Sequence, residues 1–375
     1  MYEGNINNEV GVVMTLDAGG TNLVFSAISA GKEVVEKISL PSFANNLDAC
    51  LNQIVNGFTA IKEQLSEEPV AISFAFPGPA DYKNGIIGGF LPNFPSFRDG
   101  VALGDFLKDK FQIPVFINND ADLFAYGEAL MGKLPEINDR LLKMGSVKQY
   151  HNLLGYTFGT GLGFGFVSNG ELHIGDNSCV ETFCLPIKTD PDIIVEDGAS
   201  IRAIKRVYIE LSGDNNPGLD PKDIFEIAEG ERFGDRASAI KSFETFGEMV
   251  GNAIATALTL IDGIIVIGGG LVGGRRYFMP ALLQELRGTI GTLNGERLNR
   301  VQMEVYDLDD EAEFNAFATS GEKQIKVYGS ERSVTYNYEK KVGIATSSMG
   351  ASNAIALGAY AYAINKIKDE GLHIN

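Results

Sequence analysis

The chain has 375 residues, 45% of them hydrophobic and 21% charged, a balance that excludes a disordered or fibrous protein. At this length two domains are expected, with a core large enough to need no staples. Asp and Glu total 49 against 31 Lys and Arg, a net charge of −18, so neither nucleic acid nor a membrane is an expected partner.

Three cysteines, Cys50, Cys179 and Cys184, are too few and odd in number for a disulfide framework, which fits a reducing compartment. The opening MYEGNINNEV lacks a basic segment followed by an apolar core. No apolar run reaches the ~18 residues a membrane helix needs. The expectation is a cytoplasmic protein.

In chain order, the apolar run Val10–Leu16 reads as a strand ending at Asp17, and Gly19-Gly20 as a turn. Asn22–Ile28 and Glu33–Ser39, rich in β-branched and aromatic residues, read as two more strands. Apolar residues at Leu47, Leu51, Ile54, Phe58, Ile61 and Leu65 recur every three or four positions, which predicts an amphipathic helix. Val70–Phe76 is a strand stopped by Pro77-Gly78-Pro79, Val101–Phe111 a helix and Val115–Asn118 a short buried strand. Asp120–Met131 is a helix that begins beside two good capping types, Asn119 and Asp120.

A similar order restarts near Leu153. Leu153–Thr157 and Leu162–Ser168 read as strands around Gly159-Thr160-Gly161, with Glu171–Ile174 as a third. A helical region follows, best defined over Phe243–Leu260, then the strand Gly263–Ile267, three glycines, and a helix over Tyr277–Arg287. This weak duplication predicts two α/β lobes flanking a cleft: 1–130 with 350–375, and a larger lobe over 131–349. Two segments do not fit the repeat. Thr189–Asp235 reads as a helical cap or insertion, and Asp307–Lys341 as an irregular excursion or a β-hairpin. Ala351–Ile367 is the closing helix.

Four constellations can carry chemistry, and each has a plainer alternative. Asp17-Ala18-Gly19-Gly20-Thr21-Asn22 offers backbone N–H groups for phosphate, with Asp17 placed to hold Mg²⁺ directly or through water. The same residues suit a simple hairpin turn. Gly159-Thr160-Gly161-Leu162-Gly163 repeats the pattern, being either a second anion cradle or a glycine-rich hairpin. It is neither a dinucleotide fingerprint nor a P-loop, since a strand follows and no Gly-Lys-Ser/Thr is present. Asn118-Asn119-Asp120-Ala121-Asp122 puts Asp120 at a strand-to-helix junction, as a base or as a helix cap. Gly268-Gly269-Gly270 after a buried strand leaves a flat slot for a planar base, or serves only the turn.

The ordered set resembles the actin, sugar-kinase and heat-shock chaperone ATPase superfamily. Within it the chain is most similar to the family of bacterial repressors, open reading frames and kinases (ROK), which includes glucokinases. Phe76-Pro77-Gly78-Pro79-Ala80-Asp81, Asn93-Phe94-Pro95 and Gly350-Ala351-Ser352 complete the match. The resemblance implies an α/β fold of two ribonuclease H-like lobes and ATP-dependent phosphorylation of a hexose, most often glucose at its 6-hydroxyl. It implies that Asp17 acts on the Mg²⁺ side, and that Gly19, Gly20, Thr21 and Asn22 straddle the ATP phosphates with Gly159, Thr160 and Gly161. Gly269 and Gly270 would flank adenosine. Gly78, Asn93, Asn119, Asp120 and Glu181 would form the sugar site, with Asp120 as general base. The family commonly forms dimers, so a homodimer is allowed.

The chain also departs from the family. Many members carry a zinc site beside a Glu-x-Gly-His segment. Here that stretch reads Glu181-Thr182-Phe183-Cys184, with Phe183 for the glycine and Cys184 for the histidine. Cys179 and Cys184 cannot complete a tetrahedral site, and His151, His173 and His373 are scattered, so no zinc is expected. The altered segment leaves a second reading, a catalytically weak sugar- or nucleotide-sensing protein on the same scaffold. About ten residues precede the first strand, so the repressors' DNA-binding module is not expected.

Overall fold

The computed structural model describes residues 11–216, 218–319, 321–369 and 371. Val10, proposed above as the start of the first strand, and His373 lie outside the described residues. The first part of the chain runs β1 (Val13–Ala18), β2 (Asn22–Ser29), β3 (Lys32–Glu33), β4 (Ile38–Pro41), α1 (Leu47–Gln64), β5 (Ala71–Ala75), β6 (Ala80–Asp81), β7 (Ile86–Ile87), β8 (Val101–Ala102), α2 (Leu103–Phe111), β9 (Val115–Asn118), α3 (Asp120–Leu130) and α4 (Lys133–Lys143). It continues with β10 (Asn152–Phe158), β11 (Leu162–Ser168), β12 (Glu171–Leu172), β13 (Pro186–Ile187), β14 (Asp190–Ile194), α5 (Ile201–Ser212), α6 (Pro221–Glu229), α7 (Arg236–Leu260), β15 (Ile264–Gly268) and α8 (Arg275–Leu286). The last elements are β16 (Thr289–Gly291), β17 (Arg297–Asn299), β18 (Glu304–Asp307), α9 (Glu311–Ala318), β19 (Glu322–Lys326), β20 (Ser333–Asn337), β21 (Lys341–Thr346) and α10 (Ala351–Asp369).

Contacts divide the chain into two compact units. One holds the described residues up to Pro135 with Phe164–Val180 and those from Ser347; the other holds Glu136–Gly163 and Glu181–Thr346. The sequence division assigned 164–180 to the larger lobe, whereas contacts group them with the first unit, and the change falls inside β11.

The first sheet has the order β3-β2-β1-β5-β9. β1 and β2 are antiparallel, while β1, β5 and β9 are parallel. The second sheet repeats the plan as β12-β11-β10-β15-β21 with β18 added at the edge. Strands β10, β15 and β21 are its parallel core, and β15 is buried at all five positions, as a central parallel strand should be. The α/β class and the ribonuclease H-like order of elements are therefore present twice.

In the first unit one sheet face packs on α1. Phe25, Phe58, Phe74, Phe76, Phe94 and Phe97 are buried there, with Phe25 and Phe58 edge to face at 5.1 Å. Burying each such ring contributes about 1.5–3 kcal/mol. On the other face α10 crosses α3 at backbone contact. A Cβ on Gly127 would run into the Ala354 carbonyl, and one on Gly358 into that of Leu123.

Several segments differ from the sequence reading. The strand expected over Glu33–Ser39 is two short strands. β2 advances three residues, Ile28 to Phe25, while its partner advances five, Glu33 to Ile38, so two extra residues loop out. The helix expected from Val101 begins at Leu103, because Val101 and Ala102 pair with β7 as a small sheet edge. The excursion 307–341 contains α9 as well as a hairpin, and 189–235 contains β14, α5 and α6. Among the described residues, no helix is long and apolar enough to cross a membrane.

Candidate active site

Parallel strands aim their carboxyl ends the same way, and the first unit uses this. The register sets Asp17 beside Ala75, and Ala75 beside Asn118, so β1, β5 and β9 end side by side. Just past these ends lies a cavity of about 260 Å³. Asp17, Gly19, Gly20, Asn93 and Asp120 line it, together with Lys37 and the α10 residues Ser352 and Asn353. Thr21, Asn22, Gly78 and Asn119 are not among its lining residues, although Pro77 is.

The β1–β2 turn is held from behind. Ser42 donates its N–H to the Thr21 carbonyl at 2.9 Å and its hydroxyl to that of Gly20. Gly20 lies against Asn93, where an added Cβ would stand 3.1 Å from the Asn93 Cβ. The phosphate-type turn and Asn93 are thereby brought together.

Asn119 is a helix cap: its Oδ1 accepts from the Ala121 N–H at 2.8 Å. Its Nδ2 retains donors suited to a hydroxyl. Asp120 is the first helical residue, and its Oδ1 also accepts from Ala121 N–H, at 2.9 Å. Its surface is open to solvent through the cavity, and protein surrounds it on the other sides. Loss of hydration there pushes its proton affinity above the usual carboxylate range, and the nearby Asp17 charge adds to the rise. Backbone N–H groups of Ala121 and Asp120 pull the other way.

The sequence reading missed Glu33 and Lys37. They pair at 2.8 Å, and Ser26 donates to Glu33 at 3.2 Å. Lys37 sits in the looped-out residues between β3 and β4, a place that alternation along a continuous strand conceals. The acids Asp17, Glu33 and Asp120 outnumber Lys37 in this cavity.

In the second unit, register sets Thr157 of β10 beside Gly268 of β15. The Gly159–Gly161 turn and the Gly268–Gly270 run therefore leave neighbouring strand ends. Gly269 has φ +94°, and a Cβ on it would strike the Phe158 backbone, so that glycine is required by the turn. Gly159 and Gly270 meet nothing within 4 Å and present open backbone.

A charged pair braces the Gly159–Gly161 turn. Glu196 Oε2 accepts from Leu162 N–H at 3.1 Å, and its Oε1 pairs with Arg202 at 2.9 Å. Arg202 donates from its other terminal nitrogen to the Thr160 carbonyl at 3.1 Å. Neither residue was legible as part of the site, since both come from the segment read only as an insertion.

Glu181 is half-buried in this second unit. Next to it Thr182 is buried and interacts with Tyr156 of β10. The Thr182 carbonyl accepts from Leu185 N–H at 3.1 Å, and that of Phe183 accepts from Glu196 N–H at 3.2 Å. The segment with the unusual Phe183 and Cys184 is thus tied to the brace of the phosphate-type turn.

Cys179 and Cys184 are exposed, and burial pushes the Cys50 thiol up to about 11. Among the described residues, no group of three or more His, Cys, Asp or Glu could hold a metal ion by itself. Mg²⁺ needs less: it is commonly held by one or two carboxylates together with substrate phosphates and water, and Asp17 on the cavity offers one such carboxylate.

The profile of the ROK family matches residues 13–183. A crystal structure of a glucokinase from Parabacteroides distasonis is 54% identical, with a TM-score of 0.87 over 96% of this chain and 99% of its own. A glucokinase from Thermotoga maritima is 25% identical over 279 residues, 68% of this chain and 81% of the relative. A ROK hexokinase from Thermus thermophilus, at 19% identity, shares the fold with a TM-score of 0.66 over 96% of this chain and 99% of its own. With the matched profile, the repeated sheet order and a relative of more than half identity along nearly its whole length, this chain belongs to the ROK family.

Proposed function

We propose that this ROK-family sugar kinase transfers the terminal phosphoryl group of ATP to a hexose, with glucose and its 6-hydroxyl as the first choice. The observation that carries the reading is the placement of Asp17, at the end of β1, and Asp120, just past the end of β9, on one cavity, with parallel β5 between the two strands. Phosphoryl transfer needs positioning and charge neutralisation more than covalent chemistry. Asp120, with its raised proton affinity, would accept the hydroxyl proton as that oxygen attacks phosphorus. Bound Mg²⁺ would neutralise charge on the phosphates, with Asp17 as the carboxylate that holds it.

Gly19 to Asn22 and Gly159 to Gly161 would take the phosphates, and Gly269 with Gly270 the adenosine. Gly78, Asn93, Asn119 and Glu181 would hold the sugar. Glucose is favoured by the glucokinase name of the 54%-identical Parabacteroides protein. The same reading places the enzyme in the cytoplasm, where ATP is at hand.

The test is a panel of glucose, mannose, fructose, N-acetylglucosamine and N-acetylmannosamine with Mg-ATP, read by ADP release. Fastest turnover with glucose supports the proposal. Fastest turnover with an acetylated sugar would replace glucose, and silence across the panel would favour the sensing alternative.

A further inference from the structure

Phe43 holds a backbone conformation that its residue type disfavours. Its φ is +47°, in the left-handed region, where a bulky side chain crowds its own backbone. Among the described residues Ala30, Gln112, Asn169 and Ser178 are the other non-glycines with positive φ. Ala30 and Asn169 each precede a glycine in a two-residue turn between paired strands, Gln112 ends α2, and Ser178 is small. Phe43 instead lies between β4 and α1, where glycine or asparagine would meet this φ more easily.

The conformation is imposed from both sides. Ser42 is buried and bonded to the Gly20 and Thr21 carbonyls of the β1–β2 turn. The Ala44 carbonyl accepts the N–H of Ser96 at 3.3 Å and its hydroxyl at 2.7 Å. The Phe43 carbonyl accepts from Asn46 N–H at 2.8 Å, and Asn46 caps α1. Strained residues persist where their surroundings over-determine them, and such places gather at ligand clamps. Both anchors lie at one corner of the cavity. Ser42 holds Gly20, Ser96 follows Asn93 by three positions, and Gly20 and Asn93 lie against each other on the cavity wall.

The ring gains little from the fold. It is 52% exposed and stands outside the core that takes in its neighbour Ala44. It makes no aromatic or cation contact among the described residues. An exposed phenyl ring, fixed in a disfavoured conformation beside a cavity, is placed to meet something that enters there.

We propose that the Phe43 ring stacks on the sugar, covering the C–H face of the hexose while Asn93 and Asp120 take its hydroxyls. This inference rests on the sugar-kinase reading above. A pyranose carries hydroxyls around its rim and C–H bonds on its faces. The electron-rich face of a phenyl ring attracts those C–H hydrogens, and contact removes water from both surfaces. Phenylalanine has no polar atom in its side chain, so phosphate and Mg²⁺ gain nothing from it. The purine of ATP is assigned to Gly269 and Gly270 of the second unit, which leaves the sugar as the apolar surface at this corner.

The experiment measures sugar affinity of the full chain by titration calorimetry without ATP, over the panel above, with the KM for ATP and ligand-free thermal melting alongside. Phe43→Gly removes the ring and suits the left-handed φ. It should weaken sugar binding roughly three- to tenfold and leave the KM for ATP unchanged. It should melt at or above the wild-type temperature. Phe43→Tyr keeps the ring face and should bind sugar nearly as the wild type does. Wild-type sugar affinity in Phe43→Gly overturns the proposal, as does a Phe43→Tyr variant as weak as the glycine one. A glycine variant that melts lower, with sugar and ATP constants rising together, also overturns it, because the ring would then be holding the turn. Should Phe43→Gly fail to fold, Phe43→Asn, which also tolerates this φ, is read in the same way. A wild type that binds no sugar of the panel overturns this proposal together with the reading it rests on, whereas sugar binding indifferent to Phe43 overturns this proposal alone.

Discussion

Glu196 and Arg202 pair at 2.9 Å, and between them they hold both sides of the Gly159–Gly161 turn. Arg202 is 55% exposed, so as an ion pair they contribute about 1 kcal/mol or less. The larger effect comes from the hydrogen bond to the buried Leu162. Leaving that N–H without its acceptor costs about 1–3 kcal/mol. An added Cβ on Gly161 would stand 2.7 Å from Glu196 Oε2, so the carboxylate also fixes where this backbone can lie. Glu196→Ala should therefore raise the KM for ATP roughly tenfold and leave the sugar KM nearly unchanged. Steady-state kinetics with each substrate varied in turn checks this; an equal rise in both constants would point to general unfolding of the unit.

Asp120→Asn should lower kcat by ~10²–10⁴-fold while ATP binding and the fold persist. More than about a tenth of wild-type kcat remaining would sink Asp120 as the base. The raised proton affinity gives two further signs. The base must be unprotonated, so kcat/KM should fall as pH drops through a value above the ordinary carboxylate range. A carboxyl whose affinity is raised by folding also lowers stability above its folded pKa, and this cost is relieved below its unfolded one. The amide carries no such cost, so Asp120→Asn should melt at or above the wild-type temperature at pH 7. A lower Tm would mean that Asp120 holds α3 in place rather than serving chemistry.

Gly269 and Gly270 separate fold from function. Gly269→Ala meets both a left-handed φ and the Phe158 backbone, so it should lower Tm by several degrees. Gly270 faces open space, so Gly270→Ala should leave Tm unchanged and weaken nucleotide binding if adenosine lies there. Thermal melting with and without Mg-ATP reads both. Gly270→Ala with wild-type ATP affinity would move adenosine elsewhere.

Glu181→Ala should raise the sugar KM roughly ten- to hundredfold with the ATP KM little changed, since lost charged-acceptor bonds cost ~1.5–3 kcal/mol. The backbone bonds from Leu185 N–H to the Thr182 carbonyl and from Glu196 N–H to the Phe183 carbonyl hold this segment in place despite Phe183 and Cys184. Unchanged sugar affinity would mean that the pocket is built from other residues.

Much of the frame was legible because local signals agreed with tertiary ones. Val115–Asn118 and Leu162–Ser168 are bounded by turn residues on both sides, and their spans were read to the residue. Helix α4 was missed because Pro135 in its first turn reads as a breaker, although proline is tolerated there. Its Leu134, Ile137 and Leu141 carry the buried spacing nonetheless. The brace at Glu196 could not be read, since it meets Leu162 across 34 positions and no periodicity links the two. Lys37 was hidden by a bulge, which shifts which side chain faces a cavity without altering composition.

The crossing of α3 and α10 sets limits on how this enzyme can vary. Asp120 opens α3, and Gly127 lies seven residues along, about 10 Å down the helix axis. A single methyl at Gly127 or Gly358 would wedge the two helices apart and carry Asp120 with them. Inactive alleles should therefore arise at two glycines remote from any sugar. Lineages that change their substrate would have to do so at the rim, in residues such as Asn93, Ser352 and Asn353, while this buried crossing stays closed to drift.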